Sequence, residues 1–433
     1  MALTAPEQDT LRQLDEAIAL LLVYQGVLEQ PVLRCFQVLL RSLRHPAHPL
    51  DPLEAYGQWF RALATQSTQD SNPWPEAVLQ ATLMDTNPFT QAVQHRPLTE
   101  LSPGLHQAAQ QDLKTLQQLY ELPPQTLSHW LQQVTGRAVQ ASPNDPAFCS
   151  ARPGSSPSPQ SEPPSDWRDL EFFVDHYRRQ GTGLFGRYRA LSWVEGKLSG
   201  IPHPDPVQLD QLVGYEHPKQ LLLQNTARLL RHQPALNVLL YGSRGAGKSS
   251  LVKALPNAYG DDGLRLIEVS QAQLIDLPKI LELLRPVPQK FIVFVDDLSF
   301  EEDNPAFKTL KVMLEGSVVA RPPNVVIYAT SNRRHLVREF QGDRPQLQNT
   351  GEIHPWDTVQ EKLSFSDRFG LTLTFEPATQ DTFLTIVRHL AQQENLPLAP
   401  EALEFQARRW ATRHNGQSGR TARQFVDWLK GET

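Results

Sequence analysis

The sequence predicts an α/β protein: a parallel sheet with helices on both faces, a helical C-terminal segment, and a separate, mostly α region before the sheet. Three observations predict it. Gly242-Ser243-Arg244-Gly245-Ala246-Gly247-Lys248-Ser249 fits the phosphate-loop pattern G-x-x-x-x-G-K-[ST], between a strand-length apolar run at 236–241 and helix formers at 250–255. Residues 291–295 form another wholly apolar run, and it ends on two carboxylates, Asp296 and Asp297. Apolar residues recur at helical spacing through 1–140 and again through 378–430.

The glycine-rich stretch has a direct physical reading. Gly242, Gly245 and Gly247 let the backbone bend where a Cβ would clash, so that successive N–H groups point inward. The helix that opens at Lys248 and Ser249 and runs on through Ser250 adds unpaired N–H groups and its positive dipole end. Lys248 is then placed to reach the outer phosphates of a nucleotide, and the Ser249 hydroxyl to ligate Mg²⁺. Asp296, at the end of a buried strand, is the second expected Mg²⁺ ligand, and Asp297 can orient or deprotonate an attacking water.

Composition bounds the rest. The chain has 433 residues, room for about two or three domains. Its 36 prolines imply many breaks in regular structure. With two cysteines, Cys35 and Cys149, and no Cys/His cluster, a zinc site and a disulfide framework are not expected, which fits a reducing cytoplasm. The apolar run at 17–24 is too short to span a membrane and acidic residues precede it, so neither a leader nor an anchor is expected. The formal net charge is −6; residues 1–165 carry nine Lys+Arg against 15 Asp+Glu, leaving 166–433 neutral. That balance disfavours a general nucleic-acid coat.

Taken in order, residues 1–140 read as a helical domain. Leu11, Leu14, Ile18 and Leu21 form one stripe, and Val32, Phe36, Leu39, Leu40 and Leu43 another that starts at Pro31. Further helices are expected at 53–64, 105–119 and 124–135, and no catalytic constellation appears among them. Residues 141–165, rich in Pro and Ser, read as a linker. Residues 166–205 interleave Trp167, Phe172, Phe173, Tyr177, Tyr188 and Trp193 with arginines. This is either a nucleic-acid or partner-binding surface or a helix packed on the α/β core, and packing is preferred because flanking aromatics usually bury. The α/β core spans 206–376, with further strands at 264–269, 324–329 and 371–375, and residues 340–357 read as a long polar loop. Thr330 and Asn332 leave the strand at 324–329 toward the phosphate site, because ligands bind outside the carboxyl ends of parallel strands. Residues 377–433 close the chain as a helical lid.

Together, residues 209–429 resemble an AAA+ ATPase: phosphate loop, acidic strand end, polar strand end, Asp-Arg-Phe at 367–369, then helices carrying arginine. The runs at 296–301 and 329–335 resemble more closely a bacterial AAA+ family catalogued as domain of unknown function 815. The resemblance implies ATP and Mg²⁺ as cofactors. It places Val213, Gly214 and Tyr215 against adenine and Gly242 through Ser249 at Walker A. Asp296 becomes the Walker B magnesium acid and Asn332 sensor 1. It further implies that Arg368 is a finger supplied to a neighbouring subunit, and that Arg423, or else Arg420, is sensor 2. One position departs from the family: glutamate is usual where Asp297 stands, one methylene shorter here, which is consistent with slow hydrolysis or recruitment of Glu301.

The expectation is therefore an ATP-hydrolysing homo-oligomer that remodels or loads a macromolecular client, recognised by the N-terminal domain. A nucleotide-gated switch with little turnover and a helicase-loader-like DNA partner remain the alternatives.

Overall fold

The computed structural model describes residues 3–45, 48–66, 73–137, 163–299, 305–315, 321–332, 368–414 and 416–432. Residues 141–162 of the linker expected at 141–165, the polar loop at 340–357, Asp367, Glu301 and Cys149 all lie outside them. The chain divides into two compact units, Met1–Arg187 and Tyr188–Thr433.

The first unit is helical. Its elements are α1 (Ala5–Ala19), α2 (Pro31–Arg44), α3 (Pro52–Gln66), α4 (Pro73–Met84), α5 (Pro88–Val93), α6 (Pro103–Tyr120), α7 (Pro124–Thr135), α8 (Glu171–Gln180) and α9 (Gly183–Arg187). Most open on a proline at the first turn, where the missing N–H breaks no hydrogen bond and φ is already helical. The buried aromatics Phe36, Trp59, Trp74, Phe89 and Phe173 share one core. Phe36 and Trp74 lie 4.5 Å apart between ring centroids, and Trp74 Nε1 donates to Leu119 O at 2.7 Å. Asp112, fully buried on α6, accepts from the backbone N–H groups of Leu22, Val23 and Tyr24, so it acts as the cap of the turn that follows α1.

The second unit is built on a sheet. After a hairpin, β1 (Ala190–Val194) and β2 (Lys197–Gly200), come α10 (Glu216–Leu230), β3 (Val238–Gly242), α11 (Lys248–Tyr259), β4 (Leu264–Glu268), α12 (Leu277–Leu284), β5 (Lys290–Val295), α13 (Pro305–Glu315), β6 (Val325–Ser331) and β7 (Leu371–Phe375). Three helices follow: α14 (Gln380–Gln393), α15 (Pro400–Arg413) and α16 (Gly419–Glu432). Among the described residues the strand order is β2-β1-β4-β5-β6-β3-β7, and only the β1–β2 pair runs antiparallel. Strands β5 and β6 are buried along their whole length, which is why residues 291–295 and 325–329 read as apolar runs without alternation, with Lys290, Thr330 and Ser331 as buried polar ends. Their register places Val295 beside Ala329, and that of β3 places Tyr241 beside Ser331, so the three carboxyl ends open side by side.

The segment 166–205, read from sequence as one aromatic stretch against the α/β core, serves both units. Trp167, Leu170, Phe173 and Tyr177 are buried in the helical core, whereas Ala190–Gly200 pairs into the sheet. Large apolar rings fill whichever core is at hand, so composition alone could not assign them. The α14–α16 helices form a core of their own through Phe383, Val387, Leu390, Ala407, Phe425 and Val426.

Candidate nucleotide-binding site

Loop geometry at the end of β3 explains its glycines. Gly242 has φ +138°, and a Cβ there would collide with the Phe375 carbonyl, the same oxygen that accepts from Ser243 N at 3.0 Å. Gly247 sits in the left-handed region, φ +85°, immediately before α11 begins at Lys248. Gly245 has φ +75° and is approached from the lid: its carbonyl accepts from Arg420 N at 3.1 Å, and an added Cβ would lie 2.9 Å from Ser418 Oγ.

The charged residues converge on this loop. Lys248 is buried, and its Nζ donates to Gly242 O and Ser243 O, each at 2.8 Å, and to Asn332 Oδ1 at 3.2 Å. Burial pulls the ammonium below its ordinary value, while the nearby Asp297 and Asp296 charges oppose that shift. Ser249 Oγ donates to Asp296 Oδ1 at 2.6 Å. Thr330 Oγ1 donates to the same oxygen at 2.5 Å. The next residue, Asp297, turns into the left-handed region with φ +50°; its N–H is shared by Thr330 Oγ1 at 2.9 Å and Asp296 Oδ1 at 3.1 Å. Its carboxylate accepts from Asn332 Nδ2 at 2.6 Å.

Around these groups lies a cavity of about 830 Å³, within the size range of small-molecule sites. Arg244 through Leu251, Asp296, Asp297, Thr330 and Asn332 line one side of it, and Val213, Tyr215, Arg420 and Arg423 another. Gly214, φ +92°, lets the chain pass close to α14: a Cβ there would stand 2.9 Å from Thr382 Cγ2 and 3.3 Å from Ile386 Cγ1. Tyr215 lays its ring 5.3 Å from that of Phe375 and donates its hydroxyl to Glu376 O at 3.0 Å. Lys219 Nζ ties down Leu209 O and Leu212 O, and His389 of α14 meets Asp210 O at 2.6 Å, so the segment before α10 is fastened at several points.

The two lid arginines differ. Arg423 lies 3.5 Å from Asp427 and 3.9 Å from Glu394, whereas no carboxylate among the described residues lies within 4.0 Å of the Arg420 guanidinium. Arg368 does not line the cavity; it stands beside the buried Phe369, just before β7. Of the residues singled out in sequence, the cavity thus gathers Arg244 through Ser250 of the loop, both acids, Asn332, Val213, Tyr215 and both lid arginines, while Gly242, Ser243, Gly214 and Arg368 do not line it.

Some lining residues carried no signal in the sequence. Val207 precedes α10 in a proline-flanked stretch without periodicity, and Ile386 and Leu390 were indistinguishable from the core stripe of α14 to which they also belong. Gly419 could have been found from the Ser418-Gly419 start of α16, since its close approach to Gly245 O leaves no room for a side chain.

The donor set suits a nucleotide with a divalent cation. Backbone N–H groups at a helix start and a buried ammonium match phosphate oxygens, and a hydroxyl and a carboxylate 2.6 Å apart match a hard cation. Loop, one acid-ended strand beside a polar-ended one, and helical lid define a P-loop nucleotide-binding protein of the AAA+ type. A family model described as "Protein of unknown function (DUF815)" matches residues 186–433, more than half the chain, and the chain belongs to that family. Solved structures of Thermotoga maritima RuvB are similar to it. A proline-to-glycine mutant of that protein is 18% identical over 51% of this chain and 64% of its own, with a TM-score of 0.36. A threonine-to-valine mutant is 17% identical over 52% and 72%, at 0.33, and the structure described as a Holliday junction branch migration motor is 17% identical over 52% and 72%, at 0.31. This chain therefore spans just under two thirds of the first of these. No described helix is long and apolar enough to cross a membrane.

Proposed function

We propose that the protein hydrolyses Mg·ATP in an oligomer and uses the cycle to remodel or load a macromolecular client in the cytoplasm. The observation that carries this is the convergence of Lys248, Ser249, Asp296, Asp297 and Asn332 on one cavity that the lid arginines also line. In this reading the N–H groups of Gly245 through Ser250 and the Lys248 ammonium bind the phosphates. Ser249 and Asp296 hold Mg²⁺, which when bound supplies charge stabilisation to the phosphoryl oxygens. Asp297 orients the attacking water, Asn332 positions it, and Arg423, or the less encumbered Arg420, reports the outer phosphate to the lid. Val213, Gly214 and Tyr215 hold the base. Because Arg368 stands away from its own chain's cavity, it is read as the finger presented to a neighbouring copy, and turnover then requires assembly. The helical region 1–140, joined through 141–165, is assigned to client recognition.

A second reading, a switch that binds ATP with little turnover, is favoured by one observation: the short Asp297 side chain is already engaged by Asn332. The DNA reading of the arginine–aromatic stretch is weakened. Its rings at 167, 173 and 177 are buried, Arg168 pairs with Asp166, and Arg178 donates to the carbonyls of Val93 and Arg96. Single-stranded DNA binding measured against salt is the control that tests it, and affinity near zero at every salt concentration removes it.

Phosphate release from Mg·ATP is measured against protein concentration. A rate per subunit that rises with concentration and disappears in Lys248→Ala and in Arg368→Ala supports the assembled enzyme. Tight ATP binding without release at any concentration supports the switch. A rate independent of concentration removes the trans arginine.

A further inference from the structure

We infer that Thr330 is a positioning residue for the reaction, and that it compensates for the short acid at Asp297. The inference rests on the nucleotide reading above and adds a residue to it. Thr330 is buried, 2% exposed, at the end of β6, and it touches neither the cavity's basic groups nor the loop backbone by its hydroxyl. Instead that hydroxyl is spent on both acids at once. It donates to Asp296 Oδ1 at 2.5 Å and accepts the Asp297 N–H at 2.9 Å.

Each bond has a consequence. Asp296 Oδ1 accepts from Ser249 Oγ, Thr330 Oγ1 and Asp297 N, which orients the carboxylate with its other oxygen turned away from these donors. A side chain that orients a metal-binding carboxylate in this way controls metal affinity as much as a ligand does. The second bond acts on the backbone. A non-glycine residue at φ +50° is uncommon, and aspartate tolerates it better than glutamate, whose longer chain gains no local hydrogen bond there. Holding the Asp297 N–H against Thr330 and Asp296 stabilises this turn, and the turn swings the carboxylate onto Asn332 Nδ2 at 2.6 Å. The chain thus replaces a methylene of side-chain reach with a left-handed backbone step, and Thr330 holds that step. The pairing around it does not need the Thr330 hydroxyl: Leu298 N donates to Thr330 O at 2.7 Å, and the Ser331 side chain donates through Oγ to Leu298 O at 2.9 Å.

The test compares Thr330→Val, which keeps the shape and removes the hydroxyl, with Thr330→Ser, which keeps the hydroxyl. Two quantities are read on the full chain: kcat against KM for ATP, and Mn²⁺ affinity by electron paramagnetic resonance titration in the presence of a non-hydrolysable ATP analogue. Thr330→Val is expected to lower kcat about 100-fold with KM for ATP little changed, as a misplaced catalytic group does. It is also expected to weaken Mn²⁺ binding about 10- to 100-fold, as loss of an outer partner of a metal ligand does. Thr330→Ser is expected to stay near the wild type in both. Wild-type values in Thr330→Val overturn the inference, and so does a Thr330→Ser variant as impaired as the valine, because the methyl and not the hydroxyl would then matter. A wild-type chain that binds neither the analogue nor Mn²⁺ overturns the nucleotide reading itself and this inference with it.

Discussion

Asn332 bridges Lys248 and Asp297 with its two amide atoms, accepting from the ammonium at 3.2 Å and donating to the carboxylate at 2.6 Å. A cation and an anion, to which the proposed reading gives separate partners in a nucleotide complex, are thus held together by one neutral group. On the proposed reading, phosphate entering the loop would compete with Asn332 for Lys248.

Asn332→Ala should therefore separate binding from turnover. Affinity for ATP is expected to change less than about tenfold, since Lys248 keeps two backbone acceptors and its charge. Phosphate release is expected to fall about 100- to 1,000-fold, the usual cost of one preorganised polar group at a reacting centre. Equilibrium binding of a fluorescent ATP analogue and single-turnover phosphate release measure the two effects apart.

Glu394 ties two helices of the lid, accepting from Lys430 at 2.5 Å and lying 3.9 Å from Arg423. The Lys430 hydrogen bond, with the charges of Lys430 and Arg423, holds its carboxyl below the ordinary value of 4.5. A depressed acid stabilises the fold above its unfolded pKa, and that contribution fades as pH falls through the lower folded value. Protection of α16 amides in hydrogen exchange should then drop in the wild type as the medium is acidified below pH 4.5. Glu394→Gln should show weaker protection already at pH 7 and lose this acid-dependent component, with Arg423 keeping its ion pair to Asp427.

Asp112 satisfies three backbone N–H groups in the helical unit. Asp112→Ala leaves the buried Tyr24 N–H and the partly buried Val23 N–H without this acceptor and should cost about 2–4 kcal/mol, more than one ordinary hydrogen bond, because an orphaned buried donor carries its own desolvation cost. Denaturant unfolding followed by tryptophan fluorescence reads this, since the buried Trp59 and Trp74 belong to the same core. Asp112→Asn should recover part of the loss through its amide oxygen.

How much could be read from the residues alone follows from burial. Strands β3, β5 and β6 were legible because a strand covered on both faces is apolar along most of its length, and the glycine spacing named the loop between β3 and α11. Asp296, Asp297 and Asn332 followed from their place at strand ends. The β1–β2 hairpin was not legible, although its turn carried a signal: Glu195 and Gly196 both have positive φ, as a two-residue hairpin turn demands, and Gly196 marks it. That signal was submerged in the neighbouring arginines and aromatics. Thr330 was expected to face the site, but its double bond to the acids depends on a backbone twist at Asp297 that no spacing rule encodes.

The same hairpin finishes one margin of the sheet. Strand β2 is four residues long, starts with a lysine, and presents alternating exposed positions outward. Short, charged margins resist the stacking of one molecule's ribbon against another's. Excising residues 190–200 would strip that cover from β4, whose five residues are nearly all buried, and would leave an unpaired, greasy border ready to template aggregation.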